Sequence, residues 1–250
     1  MQISAKEIAS LVRTLSKTAN NHHFTSAVIA AAGCGSRMGD TQGKTKQMME
    51  LGGIPIVVRT LLTFEKSDII DEIIVVAKED EIAAYETFKQ VYNLTKITAV
   101  VPGADTRQQS VLRGFEAVSD RSEFVAIHDG ARCLITEEMI ESVIREAYKF
   151  GAATAAQRAT DTVKVVNRSN FIEQTVDRNS VWLAQTPQVF KTELYRAAAY
   201  VCLKDGFTAT DDNSLCEYVG FEVKAVDCGR TNIKITEPTD LLIAEALLGK

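Results

Sequence analysis

From Ser26 onward, short β-branched runs alternate with stretches in which apolar residues recur every three or four positions. Ala27–Ala31, Glu72–Ala77, Ile97–Val101, Phe124–His128 and Glu222–Val226 have the character of strands. Between them, Pro55–Phe64, Glu79–Tyr92, Arg107–Val118 and Thr136–Phe150 have the spacing of amphipathic helices. This alternation predicts an α/β fold with an open, largely parallel sheet, whose ligands bind beyond the carboxyl ends of the strands. One segment breaks the rhythm. Thr162–Val166 and Phe171–Val176 flank the polar cluster Asn167-Arg168-Ser169-Asn170 and predict an inserted β-hairpin. A lone hairpin is marginally stable in water, so it needs a packing partner: a second subunit or the body of the chain. Asp211 and Asp212 read only as the start of a helix over Asn213–Tyr218.

Residues 1–24 stand apart as an extension. Ser4 and Glu7 form a capping box, and Ile8, Leu11, Val12 and Leu15 follow at helical spacing. The polar stretch Thr18–His23 is a linker. An appended or dimer-edge helix is the first reading and an organelle transit peptide the second, although no cleavage signal is evident. Residues 25–250 then form one domain with an arm at about 160–180.

Composition narrows the function. With 46% hydrophobic residues among 250, the chain is too apolar for disorder and long enough for one sizeable core. Its net charge of −5 argues against a nucleic-acid-binding surface, though not against local positive charge. The five cysteines are odd in number and none lies in a C-x-x-C pair, which suits a reducing cytoplasm rather than a disulfide framework. Two of the three histidines, His22 and His23, sit in the linker, so a histidine-rich metal site is not expected. No apolar run approaches the roughly 18–20 residues of a membrane span.

The densest chemical signal follows the first strand, in Ala31-Ala32-Gly33-Cys34-Gly35-Ser36-Arg37-Met38-Gly39. Glycines let the backbone approach a ligand and turn N–H groups toward phosphate oxygens. The dinucleotide fingerprint fails because Met38 stands at the third glycine. A phosphate-binding loop of the Gly39…Gly43-Lys44-Thr45 kind fails too, being one residue short and lacking its strand. What remains is a strand, a glycine turn, Arg37, and the lysines Lys44 and Lys46. Such cations suit phosphoryl transfer, whose transition state gathers charge on equatorial oxygens. A surface loop with incidental basic residues is the plainer alternative.

Five segments in order carry a resemblance: Gly33–Met38 with Lys46-Gln47, His128-Asp129-Gly130-Ala131-Arg132, Thr175-Val176-Asp177-Arg178-Asn179, Gln185-Thr186-Pro187-Gln188, and Asn232-Ile233-Lys234. Together they resemble the 2-C-methyl-D-erythritol 4-phosphate cytidylyltransferase family over about residues 25–248. The ribitol-5-phosphate cytidylyltransferases are the nearest siblings, and the run from Thr175 to Trp182 looks more like the methylerythritol branch. The resemblance implies a Rossmann-like sheet of nucleotidyltransferase type with a hairpin arm. It also implies transfer of a cytidylyl group from CTP, with Mg²⁺, to a polyol phosphate, in a homodimer without nucleic-acid or membrane partners. Because a phosphate monoester is already anionic near pH 7, no activated side-chain nucleophile is required.

Roles carry over by position. Arg37 and Lys46 match the transition-state-stabilising pair. Ala31, Ala32, Gly33, Gly35, Ala104, Asp105, Arg107 and Ser110 match the nucleotide cradle. Asp129, Arg132, Thr162, Arg178, Thr186 and Lys234 match the methylerythritol phosphate pocket, with Arg178 and Lys234 the catalytic positioning pair and Asp129 suited also to Mg²⁺. In the family the arm reaches the neighbouring subunit, so each site is composite. Three departures stand out: Thr45 replaces the proline usual before the catalytic lysine, Ala104 a common glycine, and Cys133 a proline. The loop is also about two residues longer, so Lys44 competes with Lys46. Methylerythritol phosphate cytidylyltransfer leads; ribitol phosphate as substrate and a CTP-binding module without turnover are the alternatives.

Overall fold

The computed structural model describes residues 22–33, 38 and 45–249. The helix expected near the N-terminus lies outside them, as do Gly35, Arg37 and Lys44. Seven strands build one sheet: β1 (Thr25–Ala30), β4 (Glu72–Ala77), β5 (Ile97–Pro102), β6 (Phe124–Asp129), β7 (Ala152–Arg158), β10 (Trp182–Lys191) and β11 (Lys224–Asp227). Two small hairpins accompany it, β2 (Glu50–Leu51) with β3 (Ile54–Pro55) and β8 (Lys164–Val166) with β9 (Ile172–Thr175). The order is β5-β4-β1-β6-β10-β7-β11, and neighbours are parallel except at β10, which is antiparallel to β6 and β7. From β1 the chain moves outward to β4 and β5, then returns across β1 to β6. The order therefore reverses between β1 and β6, where open α/β sheets bind ligands.

The central strands are buried on both faces, which explains their near-continuous apolar sequence. Alternation along each strand divides them between two cores. Ala27, Ile29, Ile73 and Val75 face one side; Val28, Ile74 and Val76 face the other. Helices α1 (Ile56–Lys66), α2 (Ile82–Val91) and α4 (Glu137–Phe150) cover the first face. Helices α3 (Arg107–Glu116), α5 (Thr192–Asp205) and α6 (Asp212–Tyr218) cover the second. α1 is rich in β-branched residues, each costing a few tenths of a kcal/mol of helix propensity. Burying Val57, Leu61 and Phe64, worth about 1.5–3 kcal/mol each, outweighs that cost. At Gly114 a methyl group would strike Val28 and Val76, so glycine lets α3 lie close on the sheet. α7 (Pro238–Leu248) closes a third cluster through Ala244, against Leu51, Ile56, Cys133 and Ile235.

The five expected strands of the sheet and the five expected helices from Pro55 onward occur, with ends displaced by a few residues; the second helical segment begins as a 3-10 turn at Glu79–Glu81 before α2. The sequence pattern omits β7, β10, α5 and α7. β7 begins Ala-Ala-Thr-Ala-Ala, four alanines of little strand preference around a single threonine. β10 contains Pro187, which argues against a central strand; it is accommodated where the register shifts between Ala184 and Gln188. The predicted hairpin is present as β8 and β9, an outgrowth of the β7–β10 pair. At its root the Arg158 guanidinium stacks 4.4 Å over the Trp182 ring, and the Ala159 N–H donates to the Val181 carbonyl at 3.0 Å.

Candidate active site

Ala30 and Asp129 are partners in the parallel register of β1 and β6. The segments that follow, Ala31–Gly33 and Gly130–Arg132, consequently leave the sheet side by side. The Gly130 N–H donates to the Ala30 carbonyl at 2.9 Å, and the Thr60 hydroxyl donates to the Gly130 carbonyl at 3.0 Å. A third segment is sewn alongside, since the Ile235 N–H donates to the Ala131 carbonyl at 2.9 Å. Three distant stretches of sequence thus meet at the switch point.

Asp129 is the hub. Lys234 Nζ lies 2.8 Å from its Oδ2, Arg132 Nε 3.7 Å from the same oxygen, and Arg107 Nε 3.4 Å from Oδ1. Arg107 also donates to Asp212 Oδ2 at 2.8 Å, and Asp212 accepts from the Tyr195 hydroxyl at 2.9 Å. Burial alone would raise the Asp129 pKa, but Lys234, Arg107 and Arg132 outweigh it and hold the carboxyl well below the usual range. Burial pushes Asp212 up, partly offset by Arg107. Burial likewise opposes the charge on Arg107, and the two carboxylates more than compensate, keeping it a cation. Three cations against two carboxylates leave the cluster positive before any ligand arrives.

The frame beneath is polar and hydrogen-bonded. Arg132 donates to the Asn232 carbonyl at 2.7 Å, and Asn232 Nδ2 donates to Gln185 Oε1 at 3.0 Å and to the Thr186 carbonyl at 2.8 Å. Thr186 Oγ1 accepts from the Asp129 N–H at 3.0 Å and lies 3.1 Å from His128 Nδ1. His128 Nε2 is 3.3 Å from the Arg132 carbonyl, which can only accept. Nε2 therefore carries the proton, and Thr186 donates to Nδ1. Burial drives the His128 pKa down to about 3, so the ring stays neutral. Thr186, expected in the substrate pocket, is 4% exposed, and its hydroxyl is committed to orienting Asp129 and His128.

A cleft of about 560 Å³ opens past the carboxyl ends of β1, β4 and β5, lined among others by Ala32, Lys78, Gly103, Ala104, Asp105 and Arg113. That size suits a small-molecule ligand. Gly103 admits close approach, because a methyl there would clash with Ala32. Of the expected nucleotide residues, Ala32, Ala104 and Asp105 line the cleft. Ser110 is buried and clips the loop, accepting from the Ala104 N–H at 2.9 Å. Arg107, at the N-terminus of the helix α3 whose Gln109 and Arg113 line the cleft, turns toward Asp129. Ala31 is buried, and its N–H donates to the Val76 carbonyl at 2.7 Å. Gln47 abuts the glycine turn, its amide nitrogen 3.6 Å from where a Gly33 Cβ would sit. Lys46 precedes it in a 3-10 turn and is itself buried.

Thr162 and Arg178 stand elsewhere, exposed at the two ends of the arm. Arg178 donates to the Thr160 carbonyl at 3.1 Å. Among the described residues no hydrogen bond or ion pair joins it to the Asp129 cluster.

Sequence reasoning missed Asp212. Asp211 does open α6, accepting from the Ser214 N–H at 3.1 Å. Asp212, however, is 1% exposed and ion-paired to Arg107. One acid suffices for a cap, so the redundant second acid was the available signal. Asn232 and Gln185 lay in quoted motifs without a role; they fasten the Lys234 segment to β10.

Known proteins were compared with this chain. The model of the family described as 2-C-methyl-D-erythritol 4-phosphate cytidylyltransferase matches residues 25–250. The protein of that name from Syntrophus aciditrophicus is 42% identical over 225 residues, covering 90% of this chain and 95% of its own. Its counterpart from Geobacillus kaustophilus is 40% identical, with 89% and 96% covered. The crystal structure of 4-diphosphocytidyl-2C-methyl-D-erythritol synthase from Anaerococcus prevotii superimposes with a TM-score of 0.82 at 33% identity, covering 92% of this chain and 97% of that one. A family match over nine-tenths of the chain, joined to a superposition at a TM-score of 0.82, has one meaning: this chain belongs to the 2-C-methyl-D-erythritol 4-phosphate cytidylyltransferase family.

Proposed function

We propose that the chain transfers a cytidylyl group from CTP to 2-C-methyl-D-erythritol 4-phosphate, forming the CDP-linked polyol and pyrophosphate. The observation that carries this reading is the convergence of Lys234, Arg132 and Arg107 on Asp129 at the switch point, with Arg107 borne by the same helix, α3, that walls a cleft of ligand size at the ends of β1, β4 and β5. The substrate phosphate attacks the α-phosphorus in line, a new P–O bond forms, and the bond to the β-phosphate breaks. Catalysis then rests on positioning and charge neutralisation. Ala31–Gly33, Gly35 and the Ala104–Ser110 segment cradle the nucleotide. Arg37 and Lys46 bear on the α-phosphate as charge builds, while Lys234, Arg132 and Arg178 hold the monoester.

Magnesium takes one or two carboxylates with substrate phosphates and water. Asp129 does not fit that requirement, because Lys234 and Arg132 already face its Oδ2 and Arg107 its Oδ1, and three cations around one carboxylate oppose a further cation there; among the described residues no cluster of three acidic, histidine or cysteine ligands exists. Residues 25–250 act as one cytidylyltransferase domain behind the extension 1–24, in a cytoplasmic homodimer whose arm lends Thr162 and Arg178 to the neighbouring site. The exposed apolar residues of the arm support that pairing. Incubation with CTP, Mg²⁺ and a panel of polyol phosphates tests the assignment. Pyrophosphate release is expected with methylerythritol phosphate; release with ribitol phosphate alone would overturn it.

A further inference from the structure

The turn carrying Lys46 is tied down on two sides. On one, the Met48 N–H donates to the Thr45 carbonyl at 3.0 Å and the Ile56 N–H to the Met49 carbonyl at 2.8 Å, joining the turn to the start of α1. On the other, the Thr45 hydroxyl donates to Glu81 Oε1 at 2.5 Å, at the foot of α2. Thr45 is 7% exposed. Glu81 Oε2 is buried with no hydrogen-bond partner, so among the described residues the bond to Thr45 is the only one its carboxylate makes. The Tyr85 hydroxyl, one turn further along α2, is buried and unpartnered as well. Shutting one oxygen of a part-buried carboxylate away without a partner is costly, and the bond through the other oxygen to Thr45 is what holds the group there.

The backbone says what the bond does. Thr45 has φ −73°, within the range a proline ring would enforce, and an extended ψ of 158° that proline also adopts. Threonine has no ring, and its φ ranges widely through the extended region. We propose that Thr45 and Glu81 are positioning residues for Lys46: their hydroxyl–carboxylate bond holds the preceding backbone in the proline-like geometry and so aims the lysine at the nucleotide phosphates. The proposal rests on the reading of Lys46 given under Proposed function. A misplacement of about 1 Å can cost up to about 10²-fold in rate, so the effect falls on kcat.

Steady-state pyrophosphate release tests it. Thr45→Val keeps the β-branched shape and removes only the hydroxyl; Glu81→Ala removes the acceptor. Each is expected to lower kcat about tenfold, with KM for the polyol phosphate within about twofold of the parent. Thr45→Pro introduced into Glu81→Ala should recover most of the loss, because the ring replaces the missing bond. Single variants within twofold of the parent would overturn the proposal, as would a double variant no better than Glu81→Ala. Thr45→Val alone carries the test if Glu81→Ala does not fold. Lys46→Ala separates the two levels. Its collapse alongside unaffected Thr45→Val sinks the positioning role alone, whereas parental turnover in Lys46→Ala sinks the reading of Lys46 and this inference with it.

Discussion

Two regions assigned to the polyol phosphate stand in opposite physical settings. The Asp129 cluster is built into the sheet: Asp129 is 7% exposed, its N–H is bonded to Thr186, and the segment bearing Lys234 is fastened by Asn232 and Ile235. The β8–β9 arm is a two-stranded ribbon whose residues are all exposed, with Phe171 at 72% and Ile172 at 62%. Charges in the first setting act through a low-dielectric frame and need little reorganisation. Charges in the second are screened and mobile, and gain strength only when another surface covers them. Preorganised charge is thus made within the chain, whereas charge on the arm would gain strength only under a covering surface.

The largest effect should come from breaking the preorganised side. Lys234→Met keeps most of the side-chain volume and removes the charge 2.8 Å from Asp129. Turnover is expected to fall about 10²–10³-fold, as when one transition-state stabiliser is deleted. A loss below threefold, measured by pyrophosphate release, would reduce Lys234 to a pin for Asp129.

The frame under the cluster has its own signature in pH. His128 titrates at about 3 in the fold against 6.5 unperturbed, with burial the main cause. Below pH 6.5 the unfolded chain takes up a proton that the folded ring refuses. Stability is therefore full above pH 6.5 and falls as pH drops from 6.5 toward 3. By about pH 4.5 the loss should reach roughly 2–3 kcal/mol. Urea unfolding across this range should show the slope in the parent and a flatter line in His128→Gln; equal slopes would place the proton uptake elsewhere.

The same contrast explains what the sequence made legible. β1, β4 and β6 are buried on both faces, so their apolar runs were readable, and β5, at the sheet's edge, carries the run Ile-Thr-Ala-Val-Val of its own. β7 and β10 were not readable, because alanines and a central proline carry no strand signal of their own and are held by neighbours distant in sequence. Asp129, Arg132 and Lys234 were visible through family motifs. The order in which they meet was not, since it depends on a backbone bond between Ala131 and Ile235. Asp212 was hidden because an acid at a helix start already has a local explanation. Thr186 was legible as important, but its hydroxyl faces inward.

A smaller effect is expected on the arm side. Arg178→Ala removes an exposed guanidinium whose bond within the chain is to the Thr160 carbonyl. KM for the polyol phosphate should rise about tenfold while CTP affinity is unchanged, the pattern of a lost contact to one substrate. Equal weakening of CTP binding would put Arg178 on the nucleotide side and erase the contrast drawn above.

The smallest effect on the single chain, and the sharpest test of the comparison, lies at the arm's apolar face. Phe171→Ser and Ile172→Ser alter residues that bury little surface within their own chain. Surface substitutions of this kind shift stability by no more than about 0.5 kcal/mol. If the arm packs on a partner, sedimentation should show a shift from dimer toward monomer, and turnover should fall with dilution as Arg178 leaves the neighbouring site. A dimer unmoved by both substitutions would mean that the arm's exposed face is not where the chains meet. The place of Arg178 in a neighbouring site would fall with it, leaving the guanidinium its bond to the Thr160 carbonyl.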